Sequence, residues 1–132
     1  ESGFDEIIKS SDYLICLLPL TRETSGILNQ DVFDAMKNSA ILINVARGQH
    51  VVDEHLIAAL YDKEIAGAYL DVFSIEPLPK THPFWRTPNL HITPHVSAVT
   101  NVDTALEQIL VNYEKLKNNQ SMINTIDRAK GY

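Results

Sequence analysis

The stretch Ile41-Leu42-Ile43-Asn44-Val45-Ala46-Arg47-Gly48 decides the fold. Its apolar run reads as a strand, and a charged residue follows that run at once. Two further stretches repeat the arrangement: Ala68-Tyr69-Leu70-Asp71-Val72-Phe73-Ser74-Ile75-Glu76-Pro77 and Leu90-His91-Ile92-Thr93-Pro94-His95. The strand ends thus deliver Arg47, then Asp71 with Glu76, then His95. In open α/β sheets, ligands sit in the crevice beyond the carboxyl ends of the strands. Arginine grips a carboxylate with two parallel hydrogen bonds. A histidine backed by a glutamate gives or takes a proton near neutral pH. The three groups at one edge form an active-site constellation.

Working outward, helical and strand-like segments alternate along the chain. Residues 4–9 read as the end of a helix, with Phe4, Ile7 and Ile8 on one face. Residues 12–18 form a continuous apolar run closed by Pro19. Residues 24–36 carry Ile27, Leu28, Val32, Phe33 and Met36 at helical spacing. Asn29 or Asp31 is the expected N-cap there, which gives a late helix start. Asp53 is expected to cap the next helix, with Leu56, Ile57, Ala59 and Leu60 inside. Residues 65–72 and 90–93 are the third and fourth strands. A longer amphipathic helix over residues 101–118 presents Val102, Ala105, Leu106, Ile109, Leu110, Tyr113 and Leu116. An extended tail is expected over the last dozen residues. Strands apolar on both faces predict a parallel sheet covered by helices, with α/β crossovers.

Composition narrows the class. The chain has 132 residues, 45% hydrophobic and 21% charged, which is one domain or part of one. A formal charge of -6 and no Lys/Arg cluster argue against nucleic acid and anionic membranes. No apolar stretch reaches the roughly 18 residues of a membrane span. The single cysteine, Cys16, cannot form an internal disulfide and reads as a small buried hydrophobe. A soluble protein of a reducing compartment, the cytoplasm, is expected.

None of the five glycines (3, 26, 48, 67 and 131) is spaced to make G-x-G-x-x-G. A dinucleotide site normally opens with that loop, because pyrophosphate rests on backbone N–H groups at a helix N-terminus. The sequence therefore shows half of such a site.

Four stretches together resemble the D-isomer-specific 2-hydroxyacid dehydrogenase family. They are Leu17-Leu18-Pro19-Leu20-Thr21 with Thr24; residues 41–48 running into Val51-Val52-Asp53; residues 66–73 with Glu76-Pro77; and Thr93-Pro94-His95. They occur in the family's order over residues 10–98. His82-Pro83-Phe84-Trp85 and the ending over residues 126–132 are most similar to its glyoxylate/hydroxypyruvate reductase A branch. The resemblance implies the C-terminal half of a Rossmann-like, doubly wound parallel sheet over residues 1–100, in the NAD(P)-binding domain. Residues 101–132 would be the C-terminal helix and tail returning to the substrate domain. On that plan the first strands and the glycine loop lie outside this chain. Residues 13–18 then form an apolar edge lacking its neighbour, and the chain is expected to be part of a longer polypeptide.

The same resemblance assigns roles. Arg47 binds the carboxylate of a 2-oxo acid and polarises its carbonyl. His95 donates the proton as hydride arrives, and Glu76 holds the other imidazole nitrogen and favours the charged ring. The plainer alternatives are a surface arginine and a structural histidine. Asp71 holds the nicotinamide end of the cofactor, or else is a turn aspartate. Leu18, Pro19 and Thr21 line the adenosine side; Val45, Ala46 and Ser97 flank the nicotinamide together with Arg47 and His95. Trp85 either caps a substrate pocket, of its own or a neighbouring subunit, or fills a hydrophobic gap. His50, His55, His82 and His91 read as structural. His91 and His95 lie roughly 13 Å apart along a strand, too far to share an ion, and no metal site is expected. The implied activity is reduction of glyoxylate or hydroxypyruvate by a homodimer. By the same likeness NADP(H) is favoured over NAD(H). The rival reading is an NAD(H)-responsive scaffold without significant turnover.

Overall fold

The computed structural model describes residues 2–129. Eight regular elements follow in order: α1 (Ser2–Ser10), β1 (Tyr13–Cys16), α2 (Gln30–Ala35), β2 (Ile41–Asn44), α3 (Asp53–Tyr61), β3 (Gly67–Leu70), β4 (Leu90–Ile92) and α4 (Val102–Lys117). The chain divides into two compact units, Glu1–Ser97 and Ala98–Tyr132. The first holds the sheet and the second holds α4.

The sheet is wholly parallel in the order β1-β2-β3-β4. Right-handed crossovers in one unbroken direction place every connection on the same face. Register lines up Leu14, Leu42, Ala68 and Leu90 in one row, and Cys16, Asn44, Leu70 and Ile92 in the next. Both rows face the core, where Ile8 of α1, Val32 and Phe33 of α2, and Leu56, Ala59 and Leu60 of α3 meet them. Removing a fully buried side chain such as Phe33 costs about 3–5 kcal/mol, so this layer dominates the stability of the first unit.

The sheet is parallel with flanking helices, as expected, and among the described residues the helices of the first unit lie against one of its faces. β1 and β2 alternate buried and more open positions, and in β1 Tyr13 is 63% exposed and Ile15 53%. Along the uncovered row Tyr69 stacks on His91 with ring centroids 4.4 Å apart. The physical reason is the one-directional strand order, which leaves the opposite face without a crossover helix among the described residues. The edge position expected for residues 13–18 is found, with β1 outermost.

Two local readings change. The segment before α2 is not helical, and the helix starts at Gln30 with the Asn29 side chain accepting from the Val32 N–H. The N-cap of α3 is Val52, not Asp53. The Val52 N–H donates to Leu28 O at 3.0 Å, so a long-range bond fixes the residue before the helix. Asp53 sits in the first turn, where its negative charge still suits the helix dipole. Its carboxylate lies 3.4 Å from His82 Nε2. α4 is capped by Asn101, which accepts from the Asp103 and Thr104 N–H groups, close to the expected start of this helix. Its apolar side chains are exposed or half-buried, with Leu106, Ile109, Leu110 and Tyr113 all open. Of the expected tail, the described part carries no helix or strand, and residues 130–132 lie outside the described residues.

Candidate active site

In-register strands end together, so the residues just past Cys16, Asn44, Leu70 and Ile92 share one edge. Arg47, Asp71 and His95 all stand there. Each is held by a different device.

Arg47 follows β2 and precedes a 3-10 turn, Gly48–His50. The fully buried Asn44 shapes this corner: its Oδ1 accepts from the Ala46 N–H at 3.1 Å and its Nδ2 donates to Arg47 O at 2.9 Å. An isolated amide inside an apolar strand is the sequence signal for this corner. His50, also fully buried, places Nδ1 3.0 Å from Arg47 O and Nε2 3.4 Å from Pro19 O. It links the arginine corner to the loop after β1. That loop organises itself: Thr24 Oγ1 donates to Pro19 O at 2.7 Å and accepts from the Thr21 N–H at 2.8 Å. The Arg47 side chain is exposed, and its Nη1 donates to Ala46 O at 2.6 Å.

Gly48 is fixed by close approach. A Cβ there would fall 1.9 Å from the carbonyl carbon of Phe73 and 2.2 Å from Ser74 N. Only glycine lets the corner after β2 touch the backbone after β3. This contact brings the Arg47 loop against the segment carrying Glu76.

Glu76 is shared between two partners. Oε1 accepts from the Phe73 N–H at 2.9 Å, and Oε2 lies 2.7 Å from His95 Nδ1. These bonds, the histidine's first, hold the Glu76 carboxyl below its usual range. The contact leaves His95 Nε2 as the nitrogen free of Glu76. His95 itself adopts a left-handed backbone, φ 53°, which is unfavourable for any residue with a Cβ.

Asp71 is 2% exposed. Its Oδ1 accepts from the Thr93 hydroxyl and from the Val96 N–H at 2.9 Å; Oδ2 accepts from the Ser97 N–H at 2.9 Å. Burial alone would raise its pKa, but these hydrogen bonds outweigh it and hold the carboxyl well below the ordinary range. The structure therefore joins Asp71 to Ser97 and to the loop that carries His95.

A cleft of about 510 Å³ opens beside the His95–Glu76 pair, walled by Phe73, Leu78, Trp85, Ile92 and Pro94 among others. Trp85 lies on a second 3-10 turn, Pro83–Arg86. Its indole N–H donates to Pro79 O at 2.8 Å, so the ring is oriented at the cleft wall while 53% exposed. His82 Nδ1 accepts from the Phe84 N–H and caps this turn. Leu18, Pro19 and Thr21 stand beyond β1, and Val45 and Ala46 beyond β2, at the same strand-end edge. Among the described residues no group of three or more His, Cys, Asp or Glu could hold a metal ion. Nor is any helix there long and apolar enough to cross a membrane.

Comparison with known proteins identifies relatives of this fold. The glyoxylate/hydroxypyruvate reductase A of Yersinia enterocolitica is 42% identical over 125 residues, covering 95% of this chain and 40% of its own length. The reductase of the same name from Serratia proteamaculans is 48% identical over 119 residues, covering 90% and 38%. The chain thus spans about two fifths of these relatives. A D-isomer specific 2-hydroxyacid dehydrogenase from Xanthobacter autotrophicus Py2, solved with NADPH and MES, superposes with a TM-score of 0.93 at 37% identity. That match covers 99% of this chain and 54% of the other. An NADPH-dependent glyoxylate/hydroxypyruvate reductase from Sinorhizobium meliloti, solved with NADP and sulfate, gives 0.91 at 31% identity, covering 99% and 43%. Residues 1–97 match the family described as D-isomer specific 2-hydroxyacid dehydrogenase, NAD binding domain. The chain belongs to the D-isomer specific 2-hydroxyacid dehydrogenases.

Proposed function

We propose that this chain is the C-terminal part of an NADP(H)-dependent reductase of small 2-oxo acids, with glyoxylate and hydroxypyruvate as substrates. The observation that carries the reading is the Glu76–His95 pair, 2.7 Å apart, at the same sheet edge as Arg47. Bound NADPH in the Xanthobacter relative and NADP in the Sinorhizobium relative support the choice of cofactor. When bound, the reduced nicotinamide supplies the hydride.

The chain's own residues supply the rest. Arg47 binds the substrate carboxylate and stabilises negative charge developing on the carbonyl oxygen. His95 delivers a proton to that oxygen from Nε2, while Glu76 keeps the ring oriented through Nδ1. Leu18, Pro19 and Thr21 border the adenosine side, and Val45, Ala46, Asp71 and Ser97 border the nicotinamide end. Trp85 closes one wall of the substrate cleft. Residues 1–100 are assigned to the cofactor domain and residues 101–132 to the substrate domain, within a cytoplasmic homodimer. The open face of β1 and the exposed apolar side of α4 support a longer polypeptide that covers both.

The test is glyoxylate-dependent oxidation of NADPH by the complete polypeptide, with Arg47→Ala and His95→Ala beside the wild type. Loss of a general acid is expected to lower kcat by about 10²–10⁴-fold. Wild-type turnover by His95→Ala would remove the assigned role. Cofactor binding with no turnover of any 2-oxo acid would favour a scaffold.

A further inference from the structure

We infer that Asp71 is a positioning residue for His95, acting at the nicotinamide end through the 93–97 loop. The argument rests on the proposed role of His95 as proton donor and on four bonds. Asp71 takes the hydroxyl of Thr93, two residues before His95, and the N–H groups of Val96 and Ser97, the two residues after it. Both sides of the histidine are therefore tied to one carboxylate. The fourth bond, Glu76 to His95 Nδ1, fixes the ring.

The backbone explains why such a clamp is needed. A non-glycine residue in the left-handed region is strained and persists only where its surroundings over-determine it. At His95, with φ 53°, the over-determining contacts are those of Asp71. Without them the loop relaxes toward φ below zero, which rotates the Cα–Cβ bond and lifts the imidazole off Glu76. A carboxylate suits this task better than an amide. All three contacts require an acceptor, and Asn offers one acceptor oxygen with an NH2 that faces donors. Asp71 is only 2% exposed, so its principal partners are within the protein.

The experiment compares Asp71→Asn and Thr93→Val with wild type in the complete polypeptide. NADPH affinity is read by fluorescence titration, kcat and KM with glyoxylate by steady-state kinetics, and amide exchange at Val96 and Ser97 by NMR. Asp71→Asn is assayed at saturating NADPH, so that any loss of cofactor affinity at this nicotinamide-end residue is read separately from turnover. Its kcat should fall about 100-fold, the scale on which a misplacement of about 1 Å acts. A larger solvent isotope effect should accompany that fall, because proton delivery becomes limiting. Thr93→Val removes one arm and should shift kcat in the same direction by about fivefold, which keeps the test decisive if Asp71→Asn does not fold. A weakened NADPH affinity with kcat retained would overturn the inference and make Asp71 a cofactor ligand alone. Unchanged exchange at Val96 and Ser97 in the variants would also overturn it. If wild type itself turns over no 2-oxo acid, the proposed function fails, and faster exchange there still reports the clamp.

Discussion

His95 Nδ1 and Glu76 Oε2 meet at 2.7 Å across a sequence separation of 19 residues. The same glutamate accepts the Phe73 N–H with its other oxygen, so the pair is oriented from both ends. Glu76→Gln keeps the shape but sets one donor and one acceptor against two donors when His95 carries its Nδ1 proton. Turnover of glyoxylate is expected to fall about 100-fold with folding retained. Steady-state kinetics beside a circular dichroism spectrum checks this, and undiminished kcat would refute the role.

Arg47 tests the carboxylate grip. Arg47→Lys keeps the charge but loses the planar fork. The KM for glyoxylate is expected to rise about tenfold, equivalent to about 1.4 kcal/mol. A KM that does not move would mean the guanidinium lies elsewhere in the working enzyme.

Gly48→Ala should be damaging out of proportion to its size. Its Cβ would overlap the Phe73 backbone at 1.9 Å, and no side-chain rotation relieves a backbone clash. A loss of about 3 kcal/mol or more, at the upper end of overpacking, is expected from the urea midpoint.

Asn44→Ala strands the Ala46 N–H and one bond to Arg47 O in a buried corner. Denaturant unfolding should show a loss of about 1–3 kcal/mol, with a raised KM for glyoxylate as the Arg47 corner loosens. A variant destabilised but unchanged in KM would restrict Asn44 to stability.

The depressed Asp71 carboxyl makes stability depend on acid. Its contribution is present in full above the ordinary value of 3.8 and disappears as pH falls through the lower value of the folded state. Glu76 acts with the same sign, more weakly because water screens it. Urea midpoints for wild type should hold from pH 7 to about 4 and fall below that. Asp71→Asn should be less stable at neutral pH and flatter in the acid range. Parallel curves would show that Asp71 does not carry the dependence.

Arg47, Asp71 and His95 were legible because each follows an apolar run, and a strand's end is visible where hydropathy breaks. The parallel sheet was legible for the same reason. The Asp53 cap was misread because its competitor is long-range: Leu28 O recruits the Val52 N–H, and no local pattern announces that bond. The cover on one face among the described residues is not written in β1, whose apolar residues occupy both faces; it follows from strand order. The partners of Asp71 were hidden because three donors 22 to 26 residues away leave no mark beside it.

The Gly48 contact has a consequence for tolerance. Two stretches of main chain meet there without a side chain between them, so no compressible layer absorbs error. The spacing between the arginine corner and the glutamate segment is set by direct packing of main chain on main chain rather than through side chains. It should therefore vary little with temperature or with changes in the surrounding core. Precision of this sort is also brittle: a compensating mutation can trim a side chain, but it cannot trim a peptide bond. Of the described glycines, this is the one where drift in sequence has the least room.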